Sequence, residues 1–204
     1  MEKTLILINP AAGQNFSILH FLQQHIDLPH NPVDIKVLTK PKDIQNIFND
    51  PSIDTYKRIA VYGGDGTVTS IAGHLYNKNI PLIILPGGTA NILAKELQIP
   101  KNMEGAVKAI TSSETILKKV DVGVANNIPF MLRISTGPLA DMILNTNQNL
   151  KQTVGQIAYG VSMIQELQNS PRVTYSLTID GKHIEEQGIS LIIANSGKIG
   201  RAHV

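Results

Sequence analysis

The chain has 204 residues, 42% hydrophobic and 17% charged, enough for one domain, or for a compact domain followed by a smaller one, and too apolar for a disordered tail. Eighteen Lys+Arg against sixteen Asp+Glu leave a formal charge of +2, too slight for the basic surface that would argue for a nucleic-acid partner. Cysteine is absent, which excludes disulfides, thiolate zinc sites and cysteine nucleophiles and permits a reducing compartment. The longest apolar stretches, Leu5 to Ile8, Leu82 to Leu85 and Leu191 to Ala194, hold four residues each, far below the ~20 of a membrane-spanning helix. Asn9-Pro10 interrupts the apolar patch after Met1 before it reaches signal-peptide length. The expectation is a cytoplasmic protein.

From Thr4 to about Ile110 short β-branched runs alternate with helical stripes, the pattern of parallel strands joined by crossover helices. Leu5 to Ile8, Val33 to Leu38, Arg58 to Tyr62 and Leu82 to Leu85 read as strands buried on both faces. Helical spacing follows in four stripes: Ile18, Leu19, Leu22, Ile26; Val68, Ile71, Ala72, Leu75; Ala90, Leu93, Ala94, Leu97; and Met103, Ala106, Val107, Ile110. After Ser112 the pattern changes. Extended segments are expected at Ile116 to Val124 and Phe130 to Ile134, then a long helix with Val154, Ile157, Ala158, Val161, Ile164 and Leu167 on one face. Val173, Tyr175, Leu177 and Ile179 alternate strictly, and Asp180-Gly181 supplies the positive-φ pair of a two-residue turn before Lys182 to Glu185. This predicts a half-buried antiparallel hairpin, with Leu191 to Ala194 as a further strand.

The chemistry concentrates at strand ends. Tyr62-Gly63-Gly64-Asp65-Gly66-Thr67-Val68 runs from a buried strand through three glycines into a helix. Glycines admit a close ligand, and the free N–H groups of the helix start attract an anion. Asp65 would repel phosphate unless a divalent cation or a hydroxyl proton lay between them, which points to metal-assisted phosphoryl transfer; the plainer reading is a helix cap. Pro86-Gly87-Gly88-Thr89-Ala90-Asn91 repeats the device at the next strand end, where Gly88 lets the backbone approach and Thr89 and Asn91 add groups able to bond phosphate or ribose. Asn9, in Asn9-Pro10-Ala11-Ala12-Gly13, lies on the same edge and either reaches the ligand or ties two loops together. Neither a P-loop nor a dinucleotide fingerprint is present. The six histidines show no metal-binding spacing, and there is no G-x-S-x-G elbow.

Asn-Pro-x-x-Gly at 9 to 13, Gly-Gly-Asp-Gly-Thr at 63 to 67 and Pro-Gly-Gly-Thr-Ala-Asn at 86 to 91 resemble, in this order and spacing, the catalytic domain of the diacylglycerol kinase family, in its soluble bacterial lipid-kinase branch. The similarity extends through Glu96 to Pro100, Asp121-Val122-Gly123 and Gly155 to Tyr159. The resemblance implies a nucleotide-binding α/β domain over residues 1–112, then an antiparallel β-sandwich lipid-binding domain over 113–204. Its implied activity moves the ATP γ-phosphoryl group to a lipid hydroxyl, such as that of diacylglycerol. By position, Gly63, Gly64, Asp65, Gly66, Thr67 and Val68 would cradle ATP, Thr89 would bond its phosphates and Thr39 would touch the nucleotide. Asp65 would act in catalysis by organising Mg2+ or the acceptor hydroxyl. The partners so implied are a lipid substrate and a transient membrane surface at the inner face, with no nucleic acid; a homodimer is allowed.

Two positions depart from the family pattern: Ala12 stands where serine is common, and Ile92 where aspartate is common. Family members also continue past the Asn195 region, where their further acidic residues lie, so the reading expects a truncated sandwich and allows that the chain as written is inactive. Ile199-Gly200-Arg201-Ala202-His203-Val204 is the translation of a common sequencing adapter, ATCGGAAGAGCACACGTCTGA, so these residues are read as non-native. Two other readings stay open: an NAD kinase, which shares the Gly-Gly-Asp-Gly-Thr loop, and a nucleotide-binding regulatory protein without turnover.

Overall fold

The computed structural model describes residues 3–12, 17–27, 30–112, 115–137 and 170–195. The chain divides into two compact units, Met1–Leu132 with Asn195–Val204, and Arg133–Ala194.

In the first unit β1 (Thr4–Ile8), β2 (Val33–Val37), β3 (Arg58–Gly63) and β4 (Leu82–Pro86) form one parallel sheet in the order β2-β1-β3-β4. All four expected strands are present, but β2, at the edge of the sheet, is not buried on both faces as expected: Ile35 is 44% and Val37 51% exposed. The chain steps outward from β1 to β2 and then returns to the other side of β1 as β3. This is a topological switch point, and in such sheets ligands gather outside the carboxyl ends of the strands beside it.

Alternation along the strands builds two core layers. Leu5, Leu7, Ile59, Val61 and Ile84 face one way, against Ile47 and Phe48 of α2 (Pro41–Asn49), Ile53 of a 3-10 helix (Pro51–Thr55), and Val68, Ile71 and Leu75 of α3 (Asp65–Leu75). Ile6, Ile8, Ala60, Tyr62, Ile83 and Leu85 face the other way, against Ile18 and Leu22 of α1 (Ser17–His25) and Ala106, Val107 and Ile110 of α5 (Met103–Thr111). Burying each large aliphatic side chain contributes ~1.5–3 kcal/mol, which holds the strand ends rigid.

The stripes differ in detail from expectation. Leu19 is 48% exposed while Ile18, Leu22 and Ile26 are buried. α4 spans only Ile92–Glu96, because Asn91 takes a left-handed conformation at φ 47° and cuts off Ala90. α2 and the 3-10 helix lie outside all four stripes.

The strand expected over Ile116 to Val124 is confined to β5 (Gly123–Ala125), which pairs with β6 (Ile128–Phe130) around Asn126 and Asn127 at φ 50° and 63°. Residues 116–122 pair with no strand among the described residues, and Ile116 is 83% exposed. The segment expected as one strand from Phe130 to Ile134 is divided, since Phe130 pairs back to Gly123 whereas β7 (Arg133–Thr136) belongs to the second unit.

In the second unit β7 pairs antiparallel with β10 (Leu191–Ala194). β8 (Val173–Ile179) and β9 (Lys182–Gly188) form the expected hairpin, with Asp180 and Gly181 at φ 50° and 78° in its turn. Only Tyr175 and Leu177 are half-buried; Val173 and Ile179 are exposed, so the inward face is shorter than its alternation suggested. The helix expected around 154–167 and the segment 199–204 lie outside the described residues. The class is the expected one: a parallel α/β sheet followed by small antiparallel sheets.

Candidate functional site

The sheet register brings three loops to one edge. Ile8 lies opposite Tyr62 and Gly63 opposite Pro86, so the chain leaves β1, β3 and β4 side by side. Asn9 N–H donates to Tyr62 O at 2.9 Å and Gly87 N–H to Gly63 O at 3.0 Å, carrying the ladder one step beyond the strands. The second and third loops touch backbone to backbone. A Cβ on Gly88 would lie 2.5 Å from Gly64 Cα, so glycine is required for this approach.

α3 begins at Asp65, and its N-cap, Gly64, has no side chain to cover the helix end. The first intrahelical bond is Val68 N–H to Gly64 O at 3.0 Å. The N–H groups of Asp65, Gly66 and Thr67 therefore precede the helical ladder and face the loop mouth, where they favour an anion. Gly66 borders open space: a Cβ there would meet nothing within 4 Å.

Two side-chain bonds cross between loops. Asn9 Nδ2 donates to Thr67 Oγ1 at 2.7 Å, while Asn9 Oδ1 accepts from Ala11 N–H at 3.0 Å. Asp65 Oδ1 accepts from Leu93 N–H at 3.0 Å. Asp65 thus caps a helix, but it is the neighbouring α4 rather than its own. Its other oxygen, Oδ2, has no partner among the described residues.

In the third loop Asn91 closes a small ring, accepting from Gly88 N–H at 2.9 Å and donating to Gly88 O at 2.6 Å. Thr89 is exposed at the rim. Beside it is a cavity of about 170 Å³ lined by Pro86, Thr89, Asn91, Ala94, Lys95 and Lys101. Thr39 stands just past the end of β2, its N–H and Oγ1 both donating to Asp43 Oδ2, at 2.7 and 3.0 Å. The N–H of Lys40, then the N–H and hydroxyl of Thr39, hold the Asp43 carboxyl below its ordinary range.

The structure therefore brings Asn9, Gly63, Gly64, Asp65, Gly66, Thr67, Gly88, Thr89 and Asn91 to one edge, with Thr39 at its β2 end. Val68 is different: its side chain is buried in the core and its N–H is spent inside α3. Sequence reasoning overlooked Asp43, whose signal was an aspartate two residues after Pro41 at a helix start. Among the described residues no three His, Asp or Glu side chains cluster as a metal site, and no helix is long and apolar enough to cross a membrane.

A switch-point edge with two glycine loops and one cross-linked carboxylate marks an α/β protein whose strand ends are suited to an anionic ligand. The model of the diacylglycerol kinase catalytic domain matches residues 3–125, and the chain belongs to that family. It is 31% identical over 205 residues to an uncharacterized protein of Synechocystis sp., covering 94% of this chain and 46% of the relative. It is 27% identical to a Streptococcus pneumoniae serotype 4 protein named "Putative lipid kinase", covering 95% of this chain and 67% of that protein. The crystal structure of a "putative diacylglycerol kinase" from Bacillus anthracis str. Sterne superposes with a TM-score of 0.74 at 30% identity, over 98% of this chain and 66% of that one. The chain thus spans between about half and two thirds of the length of these relatives.

Proposed function

We propose that the protein transfers the γ-phosphoryl group of ATP to the hydroxyl of a lipid such as diacylglycerol, and that the first unit holds the nucleotide. The observation that carries this is the convergence of two glycine loops on a single carboxylate, Asp65. The N–H groups of Asp65, Gly66 and Thr67 would cradle the phosphates, since phosphoryl transfer chiefly needs positioning and charge neutralisation. Thr39 lies two strand spacings from β3, roughly 10 Å away across the sheet edge, a distance that suits the nucleoside end of the same molecule.

The residues present fit Mg2+. Magnesium is usually held by one or two carboxylates together with substrate phosphates, and Asp65 Oδ2 is a carboxylate oxygen of this kind beside the phosphate-binding loops. Bound there, the ion would neutralise charge on the phosphate oxygens. The names carried by the relatives support a lipid acceptor, and contact with a membrane surface follows from such a substrate.

The test is transfer of labelled phosphate from ATP to diacylglycerol in mixed micelles by the full-length gene product. Asp65→Asn keeps an amide oxygen able to accept from Leu93 N–H but removes the charge. Turnover is expected to fall by ~100-fold or more with the melting temperature unchanged. Asp65→Ala is expected to lose turnover and also about 1 kcal/mol of stability, through the lost cap on α4. Full turnover in Asp65→Asn would remove the role given to this carboxylate.

A further inference from the structure

This inference rests on the nucleotide reading above and concerns how Asn9 serves it. A backbone group fixes the orientation of the Asn9 amide. Ala11 N–H can only donate, so the atom 3.0 Å from it is Oδ1, and the amide NH2 faces Thr67. Nδ2 lies 2.7 Å from Thr67 Oγ1. At that contact the hydroxyl accepts, so its own proton is directed elsewhere. Among the described residues that proton meets no acceptor. The carbonyl one turn back, Gly63 O, which helical threonines often use, accepts from Gly87 N–H, and Thr67 makes no bond to it.

The geometry points to Asn9 as a positioning residue that sets the polarity of Thr67. With one lone pair held by the Asn9 amide, the Thr67 hydroxyl presents its proton to a phosphoryl oxygen, beside the N–H groups of Asp65 and Gly66. Asn9 acts through Thr67 rather than on the ligand, its oxygen held by Ala11 and its NH2 by the threonine. The contact spans the β1 and β3 loops, the two that flank the switch point, so the polarity is built into the place where the fold gathers ligands. Aspartate at position 9 would invert it. A carboxylate only accepts, so it would draw in the Thr67 proton and turn the hydroxyl lone pairs toward the phosphate.

Calorimetric titration of ATP with Mg2+ into the full chain and its variants tests this, with thermal melts to establish folding. Asn9→Asp and Thr67→Val are each expected to raise Kd about ten- to hundredfold, the range corresponding to a hydrogen bond to a charged group. Thr67→Ser, which keeps the hydroxyl, is expected to recover most of the binding that Thr67→Val loses. In a Thr67→Val background the inversion has nothing to act on, so Asn9→Asp should cost much less there. An equal cost in both backgrounds would mean that added charge alone is at work, and would overturn the proposal. Should Asn9→Asp not fold, Asn9→Ala carries the same cycle: it is expected to weaken binding in the parent and to add nothing to Thr67→Val. An undiminished effect of Asn9→Ala in the absence of the hydroxyl would show Asn9 touching the ligand itself, and overturn the assignment. Parent protein that gives no heat with ATP overturns the nucleotide reading and this inference together. ATP binding by the parent that none of the Asn9 variants weakens overturns this inference alone.

Discussion

Gly66 and Gly88 occupy neighbouring loops under opposite constraints. Gly66 sits in the first turn of α3 with open space where a side chain would go, whereas a Cβ at Gly88 would press on Gly64 backbone at 2.5 Å and on Asn91 Oδ1 at 3.0 Å. Alanine at 66 meets no obstacle and restricts the unfolded chain, so Gly66→Ala is expected to stabilise the fold by about 0.5–1 kcal/mol. If the open space is where phosphates dock, the same methyl group weakens ATP binding, and stability and affinity move in opposite directions. Gly88→Ala must push the Gly64 and Gly88 backbones apart, and is expected to cost ~1–3 kcal/mol and abolish binding as well. Melts paired with ATP titrations check both. Unchanged affinity in Gly66→Ala would take the ligand away from the start of α3.

At the scale of elements, the four parallel strands and three of the helices were legible because burial leaves a periodic trace. α3 shows its basis: Val68, Ile71, Ala72 and Leu75 recur at helical spacing and all are buried. Ile71, fully enclosed, is expected to cost about 2–5 kcal/mol as Ile71→Ala, while Ile92→Ala, at a 38% exposed position on α4, should stay within ~0.5 kcal/mol in the same denaturant titration. α2 went unread because its apolar face is short, with only Ile47 and Phe48 buried, although Pro41 and Asp43 marked its start. The truncation of α4 and the unpaired stretch 116–122 were not legible for another reason. The first turns on the left-handed conformation of Asn91, held in its ring with Gly88, which apolar spacing does not record; the second turns on a neighbouring strand, and none pairs with it among the described residues. The site divides the same way. Its glycine loops stand out in composition, yet the bonds that assemble it, Asn9 to Thr67 across 58 positions and Asp65 to Leu93 across 28, leave no local pattern. Hydrophobic spacing did mark Val68, but as a core residue of α3.

For the whole molecule, one cluster away from the site reaches both ends of the pH range. Lys3 Nζ lies 2.7 Å from Asp34 Oδ2, the Tyr56 hydroxyl donates to the same oxygen, and the Lys3 ammonium sits 5.6 Å from the centre of the Tyr56 ring. These bonds join the entry to β1, strand β2 and the end of the 3-10 helix. The hydrogen bond from Lys3, then that from Tyr56, lowers the Asp34 pKa from its ordinary 3.8; Asp43, Asp50 and Glu104 are lowered too, by hydrogen bonds from Lys40 and Thr39, from Ser52 and from Lys108. A carboxyl depressed in the folded state stabilises fully above its unfolded value, and that stability is lost as pH falls through the folded one. His74, stacked on Phe48 at 4.9 Å, is lowered from 6.5 by burial, so the unfolded chain takes up that proton first and stability already declines below about pH 6.5. At the other end burial, then the bond to Asp34, pushes the Tyr56 pKa up to about 12. The unfolded phenol ionises near 10 while the folded one keeps its proton, so this contribution is complete below about pH 10 and is lost as pH rises toward 12. Melting temperature should therefore be flat from about pH 7 to 9, fall gently below 6.5 and more steeply below about 4.5, and fall again above 10. Tyr56→Phe removes the phenol and one of the bonds holding Asp34 ionised. It should shrink the alkaline loss and, because folded Asp34 then titrates nearer its ordinary 3.8, also shrink the Asp34 share of the acid loss, both read from melts across the range. An alkaline limb of unchanged size in Tyr56→Phe would assign that loss to groups other than Tyr56.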